Sequence, residues 1–321
     1  MTTTGARHLA LVGPTASGKS ALAQRAAELL GDVEIVSLDS MQVYREMDVG
    51  TAKPTAEMRA RVPHHLVDVA DPGEEWSVVR TQAGARAAIE SIEACGRRAL
   101  LVGGTGLYVH AVVDGLTVPG ADPQRRAALE AATADAAGLA EAYRELERVD
   151  PVAASRIEPG NRRRIVRALE VIGATGRPFS SFGPGMGHHG EPALPVRLAG
   201  IWLARDATAP RIAGRFARMR DGGLVEEVRR LAQRPGGLSR TAAQAIGYRE
   251  VLAALAGECT LDAALDAAVR RTVAFARRQR AWFRRDPRIT WIGRAGNPEA
   301  LLPALLATWG VPTPAAPTGV R

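Results

Sequence analysis

Cysteine and lysine are almost missing from this sequence of 321 residues. Its two cysteines, Cys95 and Cys259, stand far apart, with neither a C-x-x-C spacing nor a histidine beside them. That excludes a disulfide framework and a cysteine-based zinc site, and it points to a reducing, cytoplasmic setting. No apolar run approaches the roughly 18 residues of a membrane-spanning helix, so no membrane partner is expected. Met1 to Ala6 holds no apolar signal core, and export is not expected either. Apolar residues at 46% and charged residues at 24% exclude a disordered chain. The length allows about two domains of roughly 150 residues.

Base outweighs acid: 42 Lys+Arg against 34 Asp+Glu leave a formal charge of +8. An anionic substrate or partner is one reading of that balance, and an inert basic surface is the other. Lysine occurs only at Lys19 and Lys53, and every other basic residue of the 42 is arginine. Both lysines lie in glycine-containing motifs described below.

His8 to Val12 reads as a short buried strand, Ala21 to Leu30 as the helix after it, and Val33 to Leu38 as a second strand. Trp76 to Ala94 predicts a helix, and Arg98 to Val102 a third strand running into Gly103-Gly104. Strand and helix in alternation imply a parallel sheet covered by helices, whose ligands sit beyond the carboxyl ends of the strands. Gly13, Asp39 and Gly103 all fall just past strand ends, so one crevice is expected to gather them. From Asp122 to Gly176 the pattern is helical, broken at Asp150-Pro151 and Pro159-Gly160, and Phe179 to Pro195 reads as an irregular loop. Val196 to Leu203 predicts a strand that rejoins the sheet. Helices follow over Pro210–Arg220, Leu224–Gln233, Gln244–Leu255 and Leu261–Arg285, with a late strand at Ile289–Ile292. The expected fold class is α/β, a P-loop NTPase-like parallel sheet core (1–118 and 196–310) with an inserted helical domain (119–195) and a helical C-terminal region. Residues 311–321 are expected to be a disordered tail.

Gly13-Pro14-Thr15-Ala16-Ser17-Gly18-Lys19-Ser20 matches G-x-x-x-x-G-K-[ST] without a mismatch, after a strand and before a helix. Such a loop turns backbone N–H groups and a helix N-terminus onto phosphate, with Lys19 as a point charge and the Ser20 hydroxyl available to Mg2+. The pattern predicts a di- or triphosphate site, and a nucleotide kinase, an ATPase or an enzyme of a non-nucleotide diphosphate would all need it. Asp39 closes the second strand and leads into Ser40-Met41-Gln42-Val43-Tyr44. A carboxylate there can hold Mg2+, act as general base, or cap the next turn. Lys53 lies in the turn Met47 to Pro54, and His64-His65, beside an apolar run, is read as structural.

These segments, with Gly103-Gly104-Thr105-Gly106-Leu107-Tyr108, resemble the bacterial type of the tRNA dimethylallyltransferase (tRNA isopentenyltransferase) family. Asn161 to Glu170, Arg215-Phe216 and Ile246-Gly247-Tyr248-Arg249 continue the resemblance, which spans roughly residues 8 to 293 in order. The resemblance implies transfer of a dimethylallyl group from dimethylallyl diphosphate to the N6 amine of the adenosine 3′ of the anticodon, position 37. It implies that the phosphate loop, Gly13 to Ser20, holds the diphosphate with Mg2+. Asp39 is then the base, Thr105 a donor to the bridging oxygen, Arg215 a stabiliser of the leaving charge, and Ser20 the metal-linked hydroxyl. Contact with the tRNA anticodon stem-loop is implied for Asp39, Ser40, Met41, Gln42, Arg163, Arg164, Arg167, Gln244, Gly247, Tyr248 and Arg249. The protein is expected to act as a monomer. The stretch Phe179 to Gly190 matches no family motif and is read as a variable loop.

Independently of the resemblance, Arg163, Arg164 and Arg167 share a helix face by their spacing. Arg270, Arg271, Arg277, Arg278, Arg280, Arg284, Arg285 and Arg288 form a second cluster with one acid, Asp286, among them. Eight cations on one long helix, interleaved with Phe275, Trp282 and Phe283, suit a nucleic-acid backbone, although a solvated face is the plainer reading. The rival functions are an adenylate isopentenyltransferase acting on free nucleotide, an ATP-using small-molecule kinase, and an RNA-binding module with a vestigial phosphate loop. Intact Lys19, Ser20 and Asp39 count against the last.

Overall fold

A computed structural model describes residues 6–183, 187, 189–294 and 297–311. The chain divides into two units: 1–115 with 189–321, and 116–188. The divisions expected from the sequence fall at 118/119 and 195/196. Residues 189–195 fall with the first unit, where Ala193 N donates to Val113 O (2.8 Å) and Val196 opens the next strand.

The first unit begins β1 (His8–Val12), α1 (Lys19–Leu30), β2 (Val33–Ser37), α2 (Ala56–Arg61), β3 (His64–His65), α3 (Val78–Ala94), β4 (Arg98–Gly103) and α4 (Gly106–Val113). All six strands of its sheet, including β5 (Val196–Trp202) and β6 (Ile289–Arg294), are parallel, in the order β3-β2-β4-β1-β5-β6. Successive side chains along a strand face opposite layers. Leu9 and Leu11 therefore pack with Leu22, Ala23 and Ala26 of α1. Ala10 and Val12 face the other layer, with Ile89 and Ile92 of α3. Both faces are covered, which is why these strands read as continuous apolar runs.

The expected strands appear within a residue or two. His64-His65, expected to be structural, forms the short edge strand, with His65 Nε2 2.6 Å from Glu34 Oε2. The helix α9 (Arg205–Asp221) starts five residues before Pro210, where Asp206 favours the first turn, and it carries Pro210 inside at the loss of one hydrogen bond. After α10 (Leu224–Ala232) and α11 (Arg240–Ala243), α12 (Tyr248–Leu255) begins later than Gln244. Gly247, at φ 101°, breaks the helical path there. The long helix α13 (Leu261–Phe283) stops before Arg284, and α14 (Leu302–Trp309) adds its Leu305 and Trp309 to the α1 layer. Of the expected tail, Val311 N bonds Leu306 O, and residues 312–321 lie outside the described residues.

The second unit holds α5 (Pro123–Ala132), α6 (Ala136–Val149), α7 (Pro151–Ala154) and α8 (Arg162–Thr175), which start on Asp122, Asp135, Asp150 and Asn161. Each of these side chains accepts a first-turn N–H, satisfying a donor the helix leaves free. Leu146, Ala153, Ile157, Ile165 and Ala168 make its core. The expected loop after it is partly ordered: Phe179–Phe182 forms a 3-10 turn whose Ser180 N and Oγ donate to Asp150. Positions 184–186 and 188 of that loop lie outside the described residues. Among the described residues no helix is long and apolar enough to cross a membrane.

Candidate active site

The loop from Gly13 to Ser20 joins β1 to α1. Ala16 (φ 61°) and Gly18 (φ 86°) take left-handed backbone conformations, and no side chain caps the first turn of α1. A helix N-terminus left open this way presents bare N–H groups and the positive end of its dipole. The Ser17 hydroxyl is buried without a partner in the same loop.

The loop forms one wall of a cleft of about 530 Å3. Thr15, Ala16, Gly18, Lys19 and Ser20 line it with Asp39 and Gln42 from beyond β2, Gly103 from the end of β4, and Arg215 and Arg218 from α9. Three motifs far apart in sequence thus meet past the strand ends, as a parallel sheet requires. Burial lowers the Lys19 ammonium to a pKa of about 8, with Asp39 opposing that shift and Arg215 adding to it. Burial lowers the Arg215 guanidinium too, again opposed by Asp39. Arg215 Nη1 lies 3.4 Å from Thr15 Oγ1, and Nη2 3.3 Å from Thr51 O.

Asp39 is in part a cap: its Oδ1 accepts from Met41 N (2.9 Å) and Gln42 N (3.4 Å). Among the described residues no protein group bonds its Oδ2. The carboxylate is therefore held in orientation with one oxygen to spare. Gln42 accepts from the Ser37 hydroxyl (3.0 Å) and reaches Thr51 O and Ala52 O across the cleft wall. Ser40 is half-buried, and Met41 packs on the main core.

Thr105 is not among the residues lining the cleft. It precedes α4, and its hydroxyl makes no hydrogen bond among the described residues. Its neighbour Gly104 approaches closely: a Cβ there would lie 3.2 Å from Gly13 O and 3.4 Å from Lys19 Nζ. The Gly-rich turn after β4 thus reaches the phosphate loop only because residue 104 has no side chain.

Two groups that sequence reasoning missed hold these parts together. Gln279 of α13, 6% exposed, accepts from Thr15 N (2.8 Å) and donates to Gly104 O (2.8 Å), bridging both loops. Its signal was present, since it falls in the buried stripe Leu265, Ala268, Thr272, Ala276, Phe283, hidden by the arginines around it. Glu227 of α10, 3% exposed, accepts from Asp48 N, Val49 N and Gly50 N at 2.8–3.0 Å and from the Tyr248 hydroxyl. A Cβ at Gly50 would collide with the Tyr248 ring. Lys53 completes this frame, donating to Tyr44 O, Asp48 and Asp68.

Several residues expected at RNA are engaged inside the protein. Tyr248 is fully buried, which is at odds with direct RNA contact, and burial raises its phenol far above the ordinary range. Gly247 is buried and serves the chain reversal, its N–H donating to Glu250. In the second unit Arg167 pairs with buried Glu170 and donates to Pro119 O and Gly120 O, whereas Arg163 and Arg164 are exposed. Gln244 and Arg249 are exposed. The arginine cluster is not one face of one helix: Arg271 pairs with Glu250, and Arg288, beyond the helix end, grips Asp114 and Asp286. Arg280 and Arg284 lie over Trp202 and Arg278 over Phe275, and Arg270, Arg277, Arg278, Arg284 and Arg285 are exposed.

A family model described as IPP transferase matches residues 42–286, and one described as isopentenyl transferase matches residues 7–62. The chain belongs to the IPP transferase family. It is 50% identical over 299 residues to a tRNA dimethylallyltransferase of Streptomyces coelicolor, covering 93% of this chain and 94% of the relative. Identity is 46% over 295 residues to one of Geobacter metallireducens, covering 92% and 94%. The full-length tRNA isopentenylpyrophosphate transferase of Bacillus halodurans superposes with a TM-score of 0.68 at 37% identity, covering 95% of this chain and 96% of that one.

Replacing Glu227 by Ala strands three N–H groups and a hydroxyl in this family member, so a loss of about 3 kcal/mol or more is expected in denaturant unfolding. Tyr248→Phe removes one hydrogen bond and is expected to cost about 1–2 kcal/mol. The Lys19 ammonium is the form that attracts phosphate, and it is lost as pH rises through about 8. Inorganic diphosphate binding, followed by calorimetry, should weaken toward about tenfold per pH unit above that value, since one proton is linked to binding. Lys19→Arg, whose guanidinium stays charged, should remove that step.

Proposed function

We propose that this enzyme transfers a dimethylallyl group from dimethylallyl diphosphate to the N6 amine of adenosine 37 of tRNA, releasing diphosphate. The observation that carries this reading is the cleft in which the bare phosphate loop, Lys19 and Arg215 face a single oriented carboxylate, Asp39. A kinase would use the same cradle. The curated relatives, named tRNA dimethylallyltransferases along nearly their whole length, favour prenyl transfer instead.

The chemistry follows from the residues. The amine nitrogen attacks the allylic carbon, a C–N bond forms, the C–O bond breaks, and diphosphate departs with the electron pair. An aryl amine is a weak nucleophile, and Asp39 Oδ2 is the free acceptor for its proton, with Oδ1 pinned by Met41 N. The departing charge meets the loop N–H groups, Lys19 and Arg215, donors already in place before reaction. The Thr105 hydroxyl, which makes no hydrogen bond among the described residues, is the proposed donor to the bridging oxygen. Ser20, an exposed hydroxyl on the cleft wall, suits Mg2+, which takes few protein oxygens and completes its shell with phosphate and water. When bound, that ion would neutralise diphosphate charge. A stacked adenosine hides its amine, so the base must be extruded to reach Asp39.

The deciding experiment incubates the protein with labelled dimethylallyl diphosphate, Mg2+ and unmodified tRNA, with AMP and ATP in parallel. Label in RNA is expected, and label in AMP would instead establish the free-nucleotide reaction. Asp39→Ala should lower turnover about 10²-fold or more while tRNA still binds, as measured by single-turnover kinetics beside a filter-binding assay. Arg163→Ala with Arg164→Ala should flatten the log–log salt slope of tRNA binding by about 1–2 units, because each arginine neutralises one phosphate.

A further inference from the structure

Away from the cleft, three buried side chains converge that the transfer reaction does not use. His110, on α4, is 3% exposed, Asp286, between α13 and β6, is 3% exposed, and the His189 side chain, ahead of β5, is 6% exposed. Their candidate ligand atoms all lie within 4.8 Å of one another. We propose that His110, His189 and Asp286 form a binding site for a transition-metal ion of borderline softness such as Zn2+.

The hydrogen bonding prepares His110 for that part. Its Nδ1 lies 2.9 Å from Asp114 Oδ2, one helical turn on. Arg288 donates to both oxygens of that carboxylate, at 2.6 and 3.2 Å, a pairing that suits its ionised form. An ionised carboxylate accepts, so Nδ1 carries the proton and the lone pair sits on Nε2. That atom is buried with no hydrogen-bond partner, and it points within 3.9 Å of Asp286 Oδ2. A carboxylate that fixes a histidine tautomer from behind is the usual support of a metal-bound imidazole. His189 has both ring nitrogens buried and unpartnered, with Nδ1 3.5 Å from the same Asp286 oxygen.

Charge supports a cation. Asp114 and Asp286 contribute two negative charges, and Arg288, bonded to both at 2.6 and 2.7 Å, contributes one positive. One buried negative charge is left over, which is costly unless something answers it. Two imidazoles and a carboxylate suit zinc better than Mg2+, which prefers oxygen alone. Closing the ligands to zinc bond lengths of about 2.0–2.2 Å needs a contraction of roughly an ångström. The ion would staple α4, the entry to β5 and the α13–β6 turn.

The test is a Co2+ titration of the purified full chain with Mg2+ in excess, so that the oxygen ligands of the phosphate cleft are occupied. One equivalent should bind with the visible d–d absorption of a four-coordinate site, and Zn2+ should displace it and raise Tm. His110→Ala and His189→Ala should each abolish the absorption and the Zn2+-dependent rise in Tm. Asp114→Asn should weaken binding about 10–100-fold by freeing the imidazole tautomer. His189→Gln serves as a second variant should His189→Ala fail to fold by circular dichroism. Absence of the absorption in the wild-type protein, or its survival in the folded histidine variants, would overturn the site.

Discussion

Lys19 and Arg215 share one cleft with a single carboxylate to answer them, and burial works against the charge on both. Such a surplus of positive charge, walled by bare backbone N–H groups, is unfavourable by itself and becomes favourable when an anion enters. Asp39 tempers the repulsion between the two cations without cancelling it, and its pinned position keeps it from collapsing onto either one.

Holding like charges together requires a stiff frame, and much of the surrounding structure provides it. Gln279 locks the phosphate loop to the turn after β4 through two backbone hydrogen bonds. Glu227 gathers three consecutive N–H groups of the 48–50 turn, and Lys53 closes the same turn from its other side. Lysine is rare here, and its two survivors have opposite duties: Lys19 faces the cleft with its charge, whereas Lys53 is consumed by Asp48 and Asp68. Arginine divides in a similar way. Arg167, Arg271 and Arg288 neutralise buried carboxylates, and only the arginines left without such partners present charge outward.

Much of this was legible beforehand. The strand order along the chain, the phosphate loop and Asp39 all follow from local signals: β-branched apolar runs, glycines at a strand-to-helix turn, and a carboxylate at a strand end. Glu227 and Gln279 were not, because each acts on backbone atoms far away in sequence, and a backbone N–H carries no residue-specific mark. Tyr248 misled for a related reason. The resemblance placed it at RNA, yet the ring fills the space over Gly50, and its hydroxyl completes the Glu227 cluster.

Local spacing alone thus determined the parallel sheet, the glycine-rich strand-to-helix loop and the helical character of the 122–176 stretch, since periodicity and backbone conformational preference are properties of neighbouring residues. Which cations remain free to meet an anion was decided only by the folded chain. An ion pair depends on distance through space, and residues such as Arg288 and Asp114 become partners only once the sheet has brought their segments together.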